Sequence, residues 1–120
     1  MPDQKHILVV DDEPIVCMTL KEILTAFGYE VTVLNDGLQA KACLSTQAFS
    51  LILSDISMPS LDGMSLLAHI QEQKIDIPVI MMAGLADPDL QQRAIEQGAV
   101  ACIEKPVRFE DLNALIETYI

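Results

Sequence analysis

Basic residues are scarce here: 7 lysines and arginines stand against 18 aspartates and glutamates, a formal charge of -11 over 120 residues. That excess repels nucleic acid and anionic lipid, so direct nucleic-acid binding by this chain and attachment to a membrane are not expected. Long apolar runs are missing as well. Although 51% of the residues are hydrophobic, no stretch nears the ~20 residues a membrane span requires. The opening Met1-Pro2-Asp3-Gln4-Lys5-His6 lacks the charged-then-apolar layout of a secretion signal. Cysteine is sparse and scattered, at Cys17, Cys43 and Cys102. An odd number without a Cys-x-x-Cys pair argues for reduced thiols and against zinc or disulfide chemistry. The expectation is a soluble, cytoplasmic protein forming a single domain over residues 1–120, long enough to bury roughly two-thirds of its unfolded surface.

What is present is a regular alternation of strand and helix signals with short connections. His6 to Val10 reads as a strand. Pro14 suits the first turn of a helix, and Val16, Leu20, Ile23, Leu24 and Phe27 recur at helical spacing until Gly28 closes it. Glu30 to Leu34 is a second strand, and Asp36-Gly37 opens a helix through about Gln47. Ser50 to Ser54 is a third strand, apolar between its ends as a strand covered on both faces should be. A helix follows through Met64, Leu67 and Ile70. Ile77 to Met82 is a fourth strand, Asp87-Pro88 cap and begin a helix stopping at Gly98, and Val100 to Ile103 is a fifth strand. The last helix is expected to bury Phe109, Leu112, Leu115, Ile116 and Tyr119. Five such units imply an α/β protein whose parallel sheet is wrapped by helices on both faces.

In such folds function gathers outside the carboxyl ends of the strands. The residues delivered there are Asp11-Asp12-Glu13, Asn35-Asp36, Asp55, Ala83-Gly84 and Lys105-Pro106. Each has an ordinary reading by itself: acids at a helix start, an aspartate where a strand turns, a surface lysine. Together on one rim they change meaning. Neighbouring carboxylates raise one another's pKa unless a cation neutralises them, and an open, oxygen-only site suits Mg²⁺. No histidine or cysteine cluster favours zinc, and His6 and His69 read as non-ligands. A lysine facing such carboxylates has a use in phosphoryl transfer, where metal and cation balance the charge on the phosphoryl oxygens.

The segments Ile7-Leu8-Val9-Val10-Asp11-Asp12-Glu13, Leu51-Ile52-Leu53-Ser54-Asp55-Ile56-Ser57-Met58-Pro59, Leu61-Asp62-Gly63, Pro78-Val79-Ile80 and Gly98-Ala99 to Lys105-Pro106 resemble, in this order and spacing, the receiver domain of two-component response regulators, of the chemotaxis-regulator-like kind. The resemblance covers essentially the whole chain. It implies a flavodoxin-like, doubly wound (βα)5 fold with strand order 2-1-3-4-5. It implies that Asp55 accepts a phosphoryl group from the phosphohistidine of a sensor histidine kinase or histidine phosphotransfer protein, in two-component or phosphorelay signalling. Mg²⁺ would be held by Asp11, Asp12, Asp55 and the backbone carbonyl of Ser57, and Lys105 would bind a phosphoryl oxygen. Pro59 and Gly63 would shape the loop, and a cis bond before Pro106 is common among such proteins. The domain would catalyse only its own phosphorylation and dephosphorylation. Ile15 and Met18, off the core stripe of the first helix, are candidates for kinase contact. The chain is expected to be a stand-alone receiver or a part of a longer regulator or hybrid kinase, acting on a downstream protein or a fused output domain.

The resemblance breaks at two places. Receivers usually carry threonine or serine where this chain has Ala83, and an aromatic residue where it has Cys102. With both members of that relay absent, only the backbone at Ala83 and Gly84 is left to line the phosphoryl pocket. Three other functions fit these residues less well. An aspartyl phosphatase of the haloacid dehalogenase type wants a second aspartate where Ser57 stands. A nucleotide-binding domain wants a glycine-rich loop where Asp-Asp-Glu-Pro stands. A receiver-like protein-binding module that is never phosphorylated would be expected to lose acids or the lysine, and this chain retains them.

Overall fold

The computed structural model describes residues 5–58, 61–84 and 88–120. Ten elements alternate: β1 (His6–Val10), α1 (Pro14–Ala26), β2 (Glu30–Leu34), α2 (Gly37–Leu44), β3 (Leu51–Asp55), α3 (Gly63–Glu72), β4 (Val79–Ala83), α4 (Pro88–Glu96), β5 (Ala101–Glu104) and α5 (Phe109–Tyr119). All strand pairs are parallel and the sheet order is β2-β1-β3-β4-β5. This is the α/β, flavodoxin-like arrangement expected from the sequence.

Strand alternation sorts the core into two layers. Leu8, Val10, Ile52, Val79, Met81 and Ala83 face one side and pack on Ala40, Leu66, Leu67, Ile70 and Ala94 from α2, α3 and α4. Ile7, Val9, Leu51, Leu53, Ile80 and Met82 face the other, against Leu20 and Leu24 of α1 and Leu112 and Ile116 of α5. Both faces of β1, β3 and β4 are therefore dry, which is why these strands read as continuous apolar runs.

Helix ends follow local chemistry. Asp36 accepts from the amides of Leu38 and Gln39 at 2.7 and 3.0 Å to start α2, and Asp62 accepts from Ser65 at 2.8 Å to start α3. Gly28, at φ +96°, ends α1 with Gly28 N–H bonded to Thr25 O and Tyr29 N–H to Leu24 O, a Schellman motif. Gly98 ends α4 in the same way at φ +119°, and Lys74 takes the equivalent left-handed place after α3 at φ 54°.

The differences from expectation lie at boundaries. Helix α2 stops at Leu44 rather than near Gln47, because the Cys43 carbonyl takes the Thr46 and Gln47 amides and the Thr46 hydroxyl in a tight turn. Strands β3, β4 and β5 start one or two residues later and end one residue later than expected, at Asp55, Ala83 and Glu104, because the hydrogen-bond ladder rather than hydrophobicity sets their ends. Ile56 N–H reaches Met82 O at 3.0 Å and Lys105 N–H reaches Ala83 O at 2.7 Å. Helix α4 ends at Glu96, with Gly98 in the turn beyond it. Phe27 and Tyr119 are exposed rather than buried, and Phe27 instead stacks on Phe109 with ring centroids 4.9 Å apart. Asp87 and Pro59, expected to cap α4 and to shape the β3–α3 loop, lie outside the described residues.

Candidate functional site

The strand order reverses between β1 and β3, so the connections leaving these neighbours diverge and open a crevice at their carboxyl ends. Asp11 follows β1 and Asp55 closes β3, which brings both carboxylates to that crevice. Asp11 is fully buried: its Oδ1 accepts the Glu13 amide at 2.9 Å. Its backbone carbonyl accepts from the Cys17 thiol at 3.2 Å and from Asn35 Nδ2 at 3.3 Å. Asp55 is nearly as buried, with Oδ1 facing the Ser57 amide at 3.4 Å. Asp12 lies exposed beside them.

Lys105 reaches in from the end of β5. Its Nζ stands 2.9 Å from Asp11 Oδ2, 3.1 Å from Asp55 Oδ2 and 3.1 Å from Glu13 Oε1. Burial opposes the ammonium, but the contacts with Asp11 and Asp55 outweigh it and hold Lys105 above the ordinary lysine range. Burial pushes the Asp55 carboxyl up, and the charge of Asp11 adds to this; the Lys105 hydrogen bond, its charge and the Ser57 amide offset only part of it. One ammonium is too little positive charge for this cluster. The Lys105–Pro106 peptide is cis.

The donor set fits a small hard cation. Asp11, Asp12, Glu13 and Asp55 each offer a carboxylate oxygen within 4.8 Å of the others. Asp11 Oδ2 is buried and, despite its charge contact with Lys105, accepts no hydrogen bond. An all-oxygen group with an unspent buried acceptor and an exposed side matches Mg²⁺, which keeps several of its waters. Ser57, proposed to contribute its carbonyl, stands on the exposed rim two residues after Asp55.

At the end of β4, Ala83 is fully buried and its carbonyl anchors the Lys105 amide. Gly84 is exposed, and a Cβ built there would meet no atom within 4 Å. Cys102 pairs in register with Met81 and packs half-buried at the edge of the same core layer as Ala83. Gly63 is forced by contact: a Cβ there would collide with the Asp55 carbonyl, Ile56 Cα and Met81 Cε. His6 Nε2 bonds Thr32 Oγ1 at 2.6 Å, away from the crevice. Two sets of contacts were not legible in the sequence. Cys17, absent from the apolar periodicity of the first helix, and Asn35, placed on the rim by the sequence without a role, both donate to the Asp11 carbonyl. Glu13 was legible only as part of an acidic run, and its partner lies 92 residues away.

Fold and site together define a parallel α/β module with an acid–lysine pocket at its topological switch point. Residues 7–117 match the family described as response regulator receiver domain, and the chain belongs to that family of two-component signalling. It is 36% identical over 117 residues to the sensor histidine kinase RcsC of Salmonella typhi, covering 98% of this chain and 12% of RcsC. It is 34% identical over 120 residues to the transcriptional regulatory protein FixJ of Bradyrhizobium diazoefficiens, covering 100% of this chain and 58% of FixJ. The receiver domain of Francisella response regulator 1452 superposes with a TM-score of 0.92 at 28% identity, over 97% of this chain and 96% of that one. The receiver domain of a Syntrophus aciditrophicus signal transduction histidine kinase does so with 0.87 at 35% identity, over 96% and 89%. These likenesses define the family and do not single out a chemotaxis-type member. Acidic clusters such as Asp11, Asp12, Glu13 and Asp55 are typical of the Mg²⁺ site of receivers. No helix among the described residues is long and apolar enough to cross a membrane.

Proposed function

We propose that Asp55 is the phosphoacceptor of a cytoplasmic receiver unit spanning residues 1–120, loaded by the phosphohistidine of a sensor histidine kinase or histidine phosphotransfer protein. The observation that carries this reading is the convergence of Asp11, Asp55 and Glu13 on Lys105 Nζ at 2.9–3.1 Å. A carboxylate oxygen of Asp55 attacks phosphorus, the P–N bond breaks, and its electron pair stays on the departing imidazole nitrogen. Lys105 donates to a phosphoryl oxygen and stabilises the charge as the group moves. Asp11, Asp12, Asp55 and the Ser57 carbonyl would hold Mg²⁺, which when bound would supply electrostatic stabilisation of the phosphoryl oxygens. The backbone at Ala83 and Gly84 lines the remaining side of the phosphoryl pocket. Water later attacks the acyl phosphate, so the chemistry is confined to the domain's own phosphorylation and dephosphorylation.

On α1, Ile15 is 78% and Met18 66% exposed, an apolar pair next to the crevice that supports docking of the donor there. The charge of -11 supports a protein partner or an attached output domain, rather than nucleic acid or a membrane, as what this domain contacts. The full-length relatives include kinases and regulators with further domains, and either setting suits this one.

The test is incubation with Mg²⁺ and acetyl phosphate, followed by intact mass measurement. A base-labile adduct of one phosphoryl group, absent from Asp55→Asn, is expected. Ala83 and Cys102 favour one other reading, a receiver-like module that binds partners without phosphorylation. A folded wild type that stays unmodified would establish that reading instead.

A further inference from the structure

Lys105 donates hydrogen bonds to Glu13 Oε1 and Asp55 Oδ2, with Asp11 Oδ2 beside it in charge contact. An ammonium has three N–H donors, and three carboxylates surround this one at 2.9, 3.1 and 3.1 Å. An incoming phosphoryl oxygen therefore competes with these carboxylates for Lys105. Asp11 is fully buried, pinned by the Glu13 amide and braced through its carbonyl by Cys17 and Asn35. Asp55 carries the incoming group. Glu13 is different, with a side chain 61% exposed. It occupies the N-cap of α1 yet makes no side-chain capping bond, so its carboxylate is held by Lys105 rather than by the helix.

We infer that Glu13 is a positioning residue for the phosphorylation reaction: it occupies Lys105 in the resting state and is the acceptor that leaves when a phosphoryl oxygen arrives. The inference rests on the phosphoacceptor reading of Asp55. Glu13 thereby sets how readily Lys105 becomes available, while the ammonium stays aimed into the pocket between turnovers. Glu13, Lys105, Val16, Pro106 and Val107 also line a groove of about 390 Å³ between α1 and the β5–α5 connection. A carboxylate released from Lys105 would stay on the rim of that groove, so phosphorylation would change the groove's charge directly.

The experiment compares wild type with Glu13→Asp, which retains the charge but is one methylene shorter, and Glu13→Gln, which retains the length without the charge. Three quantities are read: the rate of adduct formation from acetyl phosphate, the Mg²⁺ affinity, and the Lys105 Nζ resonance in ¹⁵N-edited NMR. Both variants are expected to form the adduct about two- to fivefold faster, the range of one exposed ion pair. Mg²⁺ affinity should fall by less than about tenfold in each, because Asp11, Asp12 and Asp55 are retained. Both should shift the resting Lys105 resonance, and the difference from wild type should vanish once beryllofluoride occupies the pocket.

Equal rates in all three proteins would overturn the inference. So would acceleration by Glu13→Gln alone, which would make the effect one of net charge on an anionic donor. A tenfold or greater loss of Mg²⁺ affinity would mark Glu13 as a metal ligand instead. A wild type that takes no phosphoryl group would overturn the phosphoacceptor reading itself, a result distinct from unchanged rates in proteins that are all phosphorylated.

Discussion

Replacing Asp55 with asparagine should stabilise the metal-free protein, although it removes the proposed phosphoacceptor. Asp55 Oδ2 sits 3.1 Å from Lys105 Nζ; at an effective dielectric of about 20 that attraction is worth about 5 kcal/mol. Opposing it, Asp11 offers a carboxylate oxygen within 4.8 Å, a repulsion of about 3.5 kcal/mol on the same scale. Taking a carboxylate out of water adds a few kcal/mol more. Asp12 and Glu13, both exposed, contribute a screened repulsion of the same sign. The balance leaves ionised Asp55 unfavourable by roughly 1–2 kcal/mol, in keeping with the upward displacement of its carboxyl. Urea denaturation at pH 7 in chelator should therefore show Asp55→Asn more stable than wild type by about that amount, at unchanged m-value. Added Mg²⁺ should stabilise wild type more than the variant. An Asp55→Asn protein that is less stable than wild type in chelator by 1 kcal/mol or more would refute the reasoning.

The same imbalance fixes a pH dependence. An acid whose folded pKa is raised binds its proton more tightly in the native state, so the native state gains on the unfolded one as pH falls. The cost of Asp55 is fully present above its folded pKa and is relieved as pH drops through that value towards the unfolded value near 3.9. The stability advantage of Asp55→Asn should therefore shrink across this window in chelator. A difference independent of pH from 7 to 4 would assign it to packing instead.

Three further outcomes follow from the packing. Leu24→Ala empties a fully buried position between α1 and the sheet and should cost about 2–5 kcal/mol in urea denaturation. Gly63→Ala drives a methyl against the Asp55 carbonyl and Ile56 Cα. It should cost about 1–3 kcal/mol and, by shifting Asp55, slow adduct formation measured at a temperature where the variant is folded. Cys17 is 3% exposed and its thiol is pushed up by burial first and then by the charge of Asp11. Peptide mapping after iodoacetamide treatment at pH 8 should find Cys17 unmodified in the native protein and modified once it is unfolded.

The fold was legible because the strands obey a simple rule. Residues such as Leu51-Ile52-Leu53 are apolar on both faces only when helices cover both, and five of them in alternation with helices leave little choice of topology. Boundaries were less legible, since hydrogen bonding rather than hydrophobicity ends a strand: Asp55 and Ala83 complete β3 and β4 although the apolar pattern places both just past them. The site was legible in its carboxylates and lysine, which the topology gathers on one rim. The braces under Asp11 were not, because Cys17 and Asn35 act through a backbone carbonyl that no side-chain pattern reports. Tyr119 was misplaced for a related reason, as helical spacing gives the face of a residue but not how far the sheet extends beneath it.

Ala83 and Cys102 bear on how a phosphate at Asp55 would be felt elsewhere. The usual route needs a hydroxyl on β4 and a ring on β5 that move together on the α4 side. Here that side presents a methyl and a thiol packed against a fully buried layer that includes Met81 and Ala94. Neither Ala83 nor Cys102 can follow a phosphoryl oxygen, and the contact they forgo is a charge-assisted hydrogen bond of about 1.5–3 kcal/mol. Asp55, its neighbouring acids and the lysine are untouched by that loss, so the proposed phosphorylation should persist while its coupling to α4 and α5 weakens. On the opposite side, Lys105 holds the exposed Glu13 at a groove lined also by Val16, Pro106 and Val107. Two-dimensional NMR with beryllofluoride separates the two routes. Changes concentrated at residues 13–18 and 105–107, and small from residue 88 to 100, are expected. Large shifts across α4, of the size seen in a threonine-containing relative, would show that the route through β4 operates without its hydroxyl.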